Sequence, residues 1–414
     1  MKKFELTTLP YAADAPEPVT SKRTIGFHHG KHLLSYVNIL NKCIVFLFCC
    51  LWAVSAFSQE QEPQEQQKKI RRLGCYVAQP PKEQKWCRRF VLQTRMDFDF
   101  QHHEDTALCG ASAPNTSSFQ GKHLNFIMEG DLTSTLSYSY RQRINIANIN
   151  FSQTFFQATD WLHLDWHFAD RFYLSAGKEV VAIGAWEYDV APIDMYFCSE
   201  FYNNVNCFEM GFSLHYADDY NHLQLQLCNS PYVEKPLQNL YAVNLMWSGN
   251  FNWFRTIYST NLIGYEPDKF MHYIVLGHKL DFLFWSFYVD VMNRTALNDY
   301  TLFRDYSVMA EFKWRPVVSR FSLFVKGGYD ENSLSGIYLM DGNPRPVSPD
   351  IYVAPGFAAA YAGVGGEFFP WSADDQVRLH AYVAARHDAS WCVECSAGLT
   401  WRLNPVNVTN VLKN

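Results

Sequence analysis

With 414 residues, a formal net charge of -6 and 16% aromatic residues, the chain has the length of two or three ordinary domains but no Pro/Gly/Ser-rich linker in its interior. Mean hydropathy is -0.20, and beyond residue 58 no uninterrupted apolar run is long enough for a membrane-crossing helix. This excludes a bundle of membrane helices, and the acidic balance gives no footing for nucleic acid.

Residues 1–41 mix charges of both signs and have none of the features of an export signal; they read as an upstream extension from a misassigned start rather than as a domain. After Lys42, the apolar run Cys43 to Phe57 has the length of a secretory signal core. The small residues of Ala56-Phe57-Ser58 then place cleavage before Gln59, so 1–58 is extension plus signal peptide. Six of the 35 basic and three of the 41 acidic residues go with it, which leaves the mature chain at net -9. Three of the 11 cysteines go too, and the remaining eight are in an exported chain that can oxidise them.

Residues 59–88, rich in Gln and Glu and then basic at Lys68-Lys69-Ile70-Arg71-Arg72, read as a flexible periplasmic leader. From Phe90 the pattern changes to period two. Phe90, Leu92, Met96, Phe98 and Phe100 share one face, and Gln93, Arg95, Asp97 and Asp99 share the other. The same alternation predicts strands near 122–129, 135–143, 161–168, 171–178, 207–216, 221–228, 239–247 and 251–262. It continues near 270–278, 281–291, 304–314, 319–328, 359–369, 376–386 and 390–403, sixteen strands in all.

The connections alternate as well. Tight-turn residues such as Gly130-Asp131, Ala217-Asp218-Asp219 and Ser248-Gly249-Asn250 follow the even strands, whereas most odd strands are followed by long links such as 101–120, 179–206 and 329–358. Periplasmic turns on one rim and extracellular loops on the other produce this asymmetry. In lipid every backbone polar group must be paired inside the protein, so the sheet must close. The expected fold is all-β: a transmembrane antiparallel β-barrel of 16 strands over residues 89–403, with 404–414 as a periplasmic tail. Roughly 16 strands enclose an aqueous lumen, so the expected function is passive diffusion of small polar or ionic solutes across the bacterial outer membrane.

The run Phe119 to Arg143 (FQGKHLNFIMEGDLTSTLSYSYRQR), followed by Phe172 to Lys178 (FYLSAGK), resembles the porin O/P family of phosphate-selective porins as seen in Bacteroidetes. The specific likeness covers about 119–178, and the architecture covers about 90–403. The resemblance implies a usually trimeric porin that admits small anions such as phosphate through an arginine-lined constriction. The final strand, with Trp401 and Leu403, also resembles the signal read by the outer-membrane assembly machinery, although eleven residues follow it.

Counting opposite the apolar faces points Arg95, Arg141, Arg143, Lys178, Lys313, Lys326 and Arg378 into the lumen as pore-lining and selectivity candidates. Acids share these faces, and alternating signs cancel beyond about a Debye length of 8–10 Å. The link Glu179 to Asn206 joins strands five and six, where sixteen-stranded porins fold a constriction loop inward. Its aromatics can pack on the wall, and its acids Glu187, Asp189, Asp194 and Glu200 disfavour anions. The alternative for this segment is an ordinary surface loop. Cys198 and Cys207 bracket it and either close it as a disulfide or stay as thiols.

Enzyme chemistry finds little support. Cys392 and Cys395 form a C-x-x-C, but an odd offset on a strand puts the sulfurs on opposite faces. His102-His103-Glu104-Asp105 is the richest cluster of potential ligands, yet adjacent residues on an irregular loop rarely reach one ion. No Gly-x-Ser-x-Gly elbow and no phospholipase-type His-Ser-Asn cluster is present. The expectation is no catalytic residue, no metal and no cofactor. The remaining alternatives are a non-conducting barrel that acts through its long loops as adhesin or scaffold, and a barrel hydrolase.

Overall fold

The computed structural model describes residues 85–104, 115–144, 156–232, 239–296, 302–316, 320–334, 349–371 and 376–403. Extension, signal, most of the leader and the C-terminal tail lie outside the described residues. Sixteen antiparallel strands form one closed barrel. In chain order the first eight are β1 (Arg89–His103), β2 (Asn115–Asp131), β3 (Leu136–Arg143), β4 (Thr159–Ala169), β5 (Phe172–Val180), β6 (Phe208–Ala217), β7 (Asn221–Asn229) and β8 (Tyr241–Phe251). The second eight are β9 (Phe254–Glu266), β10 (Lys269–Asp281), β11 (Trp285–Ala296), β12 (Asp305–Trp314), β13 (Phe321–Asn332), β14 (Ala358–Phe368), β15 (Val377–His387) and β16 (Trp391–Leu403).

Each strand pairs with its sequence neighbours, and β1 pairs with β16 from Leu92↔Leu403 to His103↔Cys392. The barrel therefore has no free edge, as a sheet in lipid requires. The seam needs one small residue: a Cβ at Gly398 would stand 2.2 Å from Asp97 Oδ1 and 2.4 Å from the Met96 carbonyl. With glycine there, Asp97 reaches past β16 to His380 Nε2 on β15 at 2.9 Å.

Alternation decides the two faces. On β4, Leu162, Leu164, Trp166 and Phe168 are exposed outward, while His163, Asp165 and His167 turn in. On β7, Leu223, Leu225 and Leu227 are exposed and His222, Gln224 and Gln226 are buried. Trp166, Trp253, Trp314, Trp371 and Trp391 also stand exposed, as the aromatic girdles of such barrels do. β10 departs from the rule. Ile274 and Leu276 face out, yet Met271, Tyr273 and Val275 face in and are fully buried, so something apolar covers the lumen side there.

The sequence placed Lys178 among the lumen residues, and the register corrects this. Lys178 lies beside Leu162 of β4 and Met210 of β6, both exposed outward, while Tyr173, Ser175 and Glu179 face in. A lysine at a strand end can lie on the outer face because its long stem carries the ammonium toward the interface. Lys178 Nζ sits 5.7 Å from the Phe156 ring.

Candidate functional site

What covers β10 is the link between β5 and β6. Residues 181–207 leave the rim with the long loops and turn into the barrel. Val181, Ile183, Ala185, Phe201 and Val205 are buried against Met271, Tyr273, Val275, Met292 and Met309 of the inner wall. Burial of that apolar surface is the main reason for the inward fold. The segment carries two short helices, α1 (Trp186–Asp189) and α2 (Glu200–Asn204).

Polar contacts then fix the path. Gln226, Asn244 and Asn261 form an amide ladder across β7, β8 and β9. Ala182 N donates to Gln226 Oε1 at 2.8 Å, and Asn261 Nδ2 donates to the Ala182 carbonyl at 2.8 Å. Gly184 N donates to Ser259 Oγ at 2.9 Å. Ala185 adopts φ 108°, a costly conformation for a residue with a side chain. Asp290 of β11 holds the next turn by accepting from the backbone N–H of both Trp186 and Glu187 at 2.9 Å. An acid at these free N–H groups satisfies donors that the helix itself cannot.

The four loop acids differ in environment. Glu187 is buried and meets Lys326 of β13 at 2.7 Å; Tyr361 and the Ser199 backbone also donate to it. Asp194 receives Arg378 of β15 at 2.7 Å and Arg402 of β16 at 2.5 Å, while Arg95 of β1 donates to the neighbouring Met195 carbonyl. Glu200 pairs with Arg386. Asp189 alone is exposed. The loop tip is thus latched to three consecutive strands at the closure seam. Tyr196 lies between them, with Arg95 over its ring at 4.7 Å and Phe324 stacked at 5.1 Å.

Burial pushes the Asp194 carboxyl up, but the Arg378 and Arg402 guanidiniums outweigh it and hold the group well below its ordinary value of 3.8. A depressed carboxylate stays ionised above its ordinary value, so the latch is complete above about pH 4 and is lost only as pH falls through the lowered value. Titration of Asp194 should therefore add no change in single-channel conductance from pH 7 down to about 4 and should loosen the loop tip only in stronger acid. A conductance step between pH 6 and 5 that Asp194→Asn abolishes would contradict the latch.

A second segment joins the first. Asp350, Tyr352 and Val353 are buried inside the barrel, and Asn204 Nδ2 donates to the Tyr352 carbonyl at 2.9 Å. Cys198 and Cys207 are free thiols rather than a disulfide. The Cys198 thiol faces Asn203 Oδ1 at 3.0 Å across α2, and the Cys207 thiol faces the Val205 carbonyl. Burial pushes Cys207 up to about 11 and Cys198 higher, so both stay protonated near neutrality. Cys392 and Cys395 fall on opposite faces of β16. His102 and His103 end β1, and Asp105 lies outside the described residues.

The other lumen bases named from the sequence are all paired. Arg95 bonds Asp97, Arg141 and Arg143 share Asp160 at 3.1 and 2.9 Å, and Lys313 reaches Glu367 at 2.7 Å. Arg378 also reaches Glu367, at 3.2 Å. Sequence reasoning passed over the row of stacked rings on β5, β6 and β7, in which Tyr173 and His215 lie 4.2 Å apart and His215 and His222 5.2 Å apart. Histidines alternating with lipid-facing leucines were the available signal.

Among the described residues, the loop's hydrogen bonds and ion pairs reach β7, β9, β11, β13, β14, β15, β16 and β1; none reaches β2, β3 or β4.

The comparisons with known proteins agree with this geometry. In structure, the anion-selective porin from Comamonas acidovorans superposes with a TM-score of 0.53 at 8% identity, over 76% of this chain and 98% of its own. A loop-deleted OmpT, an outer membrane protein of Vibrio cholerae, gives 0.51 at 10% identity, over 76% and 98%. At such identity the likeness is one of fold. Residues 3–70 match the family of iron/manganese superoxide dismutases, alpha-hairpin domain. Over 41 residues the chain is 63% identical to the superoxide dismutase [Mn/Fe] of Porphyromonas gingivalis and 54% identical to the superoxide dismutase [Fe] of Bacteroides fragilis. The chain spans about a fifth of the length of these curated relatives, and the matching part is 10% of this chain. Residues 90–252 match the family described as phosphate-selective porin O and P. Over that stretch the chain resembles the phosphate-selective porin O and P family, and with its closed sixteen-stranded barrel, lipid-facing girdle and inward-folded loop it is an outer-membrane β-barrel of the porin type.

Proposed function

We propose that the barrel is a passive pore for small polar and ionic solutes, with 181–207 as its constriction. One observation carries this reading: residues 181–207 fold into the barrel, and their hydrogen bonds and ion pairs tie them to the seam and to the β7–β14 side. A purely structural plug has no reason to be one-sided. Solutes pass beside the loop. Phosphate is the solute in the family's description, and it enters here as one candidate among small ions.

The exposed apolar girdle suits lipid and contact with further copies, and a homotrimer inserted by the outer-membrane assembly machinery is the arrangement the family resemblance implies. No catalytic step is part of this reading. The dismutase-like stretch, residues 3–70, matches only the alpha-hairpin part of that enzyme and overlaps the predicted export signal. N-terminal sequencing of the membrane form should begin at Gln59, and a mature protein that retained residues 1–41 would reverse this assignment.

The full chain, expressed and extracted from outer membranes, should produce stepwise conductance in planar bilayers. Absence of steps would favour the adhesin or scaffold reading.

A further inference from the structure

Resting on the reading of 181–207 as the constriction of a diffusion pore, we propose that the end of the β13–β14 link clamps it. Asp350 and Tyr352 are positioning residues that hold the returning leg of the constriction, residues 200–205, against β10 and β11 and so set the aperture.

Three observations meet at this point. The first is convergence, since Tyr352 touches two other links at once. Its carbonyl accepts from Asn204 Nδ2 of α2 at 2.9 Å, and its Oη donates to the Pro231 carbonyl in the β7–β8 link at 2.7 Å. Its ring meets Tyr232 at 5.0 Å and Phe201 at 5.9 Å. Phe201, 1% exposed, is thereby enclosed by Tyr352 and by Tyr273 of β10, whose ring lies at 5.8 Å.

The second is a shared anchor. One oxygen of Asp350 accepts from Arg294 Nε at 2.8 Å, and the other accepts from the Tyr352 backbone N–H at 2.8 Å and Tyr232 Oη at 3.2 Å. Arg294 Nη1 donates to Ser307 Oγ, which donates in turn to Asp330 Oδ1. Asp330 Oδ2 accepts from the backbone N–H of Glu200, the first residue of α2, at 2.8 Å. One chain of hydrogen bonds therefore runs from the clamp through β11, β12 and β13 to the start of the leg that the clamp covers. Such a network fixes a geometry, because leaving any member unpaired in a low-dielectric interior is costly.

The third is that the clamp is itself fixed to the barrel. Asn332, at the end of β13, donates from Nδ2 to the Val353 carbonyl at 2.7 Å and from its backbone N–H to the Phe357 carbonyl at 2.8 Å. Its own carbonyl accepts from Gly356 N at 2.7 Å. Gly356 turns the segment back at φ 78°, a conformation glycine adopts without strain. Without the clamp the returning leg keeps Asp330 and Arg386 at its start, but Phe201 and Asn204 lose their cover. A segment with fewer buried contacts opens locally at lower cost, and one that lies inside the lumen changes the aperture as it moves.

The test is single-channel conductance in planar bilayers, with the full chain expressed and taken from outer membranes. Tyr352→Ala and Asp350→Asn should each raise the mean open conductance by about 1.3-fold or more and add fast current noise. Asp350→Asn keeps the side-chain volume and leaves Arg294 paired with Asp305, so it reads the clamp even if Tyr352→Ala does not insert. In a barrel whose residues 182–206 are replaced by a short Gly/Ser turn, the same substitutions should leave conductance unchanged, because the clamp acts through the leg it holds. Maleimide labelling of Cys198, mapped by mass spectrometry, should quicken by about threefold or more in both variants as the leg loosens. Unchanged conductance in both variants overturns this inference, whatever the labelling does. A rise that persists after loop excision shows that the segment narrows the pore by its own bulk, and this overturns the positioning role. An unmodified chain that does not conduct removes the diffusion reading itself, and the aperture proposal falls with it.

Discussion

Replacement of Arg294 by alanine is expected to destabilise the barrel by about 3–5 kcal/mol, the usual cost of removing one partner from a buried ion pair. Arg294 on β11 is fully buried and sits between two acids, with Asp305 Oδ1 at 2.8 Å and Asp350 Oδ2 at 2.8 Å. Its Nη1 donates to Ser307 Oγ at 2.7 Å, and the guanidinium lies 5.2 Å from the Phe201 ring. Alanine would leave two carboxylates with almost no solvent exposure beside each other without their counter-ion. It would also release the inward segment that carries Tyr352, which packs on Phe201 of the constriction. The measurement is the urea midpoint in detergent, followed by tryptophan fluorescence. Arg294→Lys should fall between, because an ammonium keeps the charge but cannot bridge both acids in the same plane. A loss below about 1 kcal/mol for alanine would show that water reaches the triad and that its burial is not structural.

The second large effect concerns the constriction. Val180 and Phe208 are register partners, so residues 182–206 can be replaced by a short Gly/Ser turn without disturbing the β5–β6 pairing. The shortened barrel should still insert, because each strand keeps both neighbours. It should be less stable, since Met271, Tyr273, Val275 and Met292 would lose the apolar surface that now buries them. Single-channel conductance should rise about twofold or more, since roughly sixteen strands enclose more space than side chains can fill. A finer cut is Asp194→Asn, which weakens the hold on Arg378 and Arg402 and should increase current noise without the full rise. Unaltered conductance after loop excision would show that the narrowest point of the pore lies elsewhere.

The strands were readable because lipid and water impose opposite demands on successive residues. Met96 and Phe98 against Arg95 and Asp97 is the pattern that pairs β1 with β16. Tight turns such as Ala217-Asp218-Asp219 were equally legible, because Asp218 accepts from the backbone of Tyr220 and Asn221 at 2.8 and 2.7 Å, a local bond that needs no partner from afar. Lys178 was misplaced because charge alone does not decide the face of a residue at a strand end. The course of the constriction left one trace in the sequence, the apolar residues on both faces of β10. Its destination left none.

The sequence by itself determined the period-two strands, their number and closing order, and the rim that carries the long loops. Those features follow from local alternation and from the rule that no backbone group goes unpaired in lipid. Only the tertiary structure decided which lumen charges cancel and which remain. Glu187 finds Lys326, and Asp194 finds Arg378 and Arg402, across the barrel between residues far apart in the chain. Ion-pair energies depend on separation and burial, which exist only once the sheet has closed and the loop has crossed it.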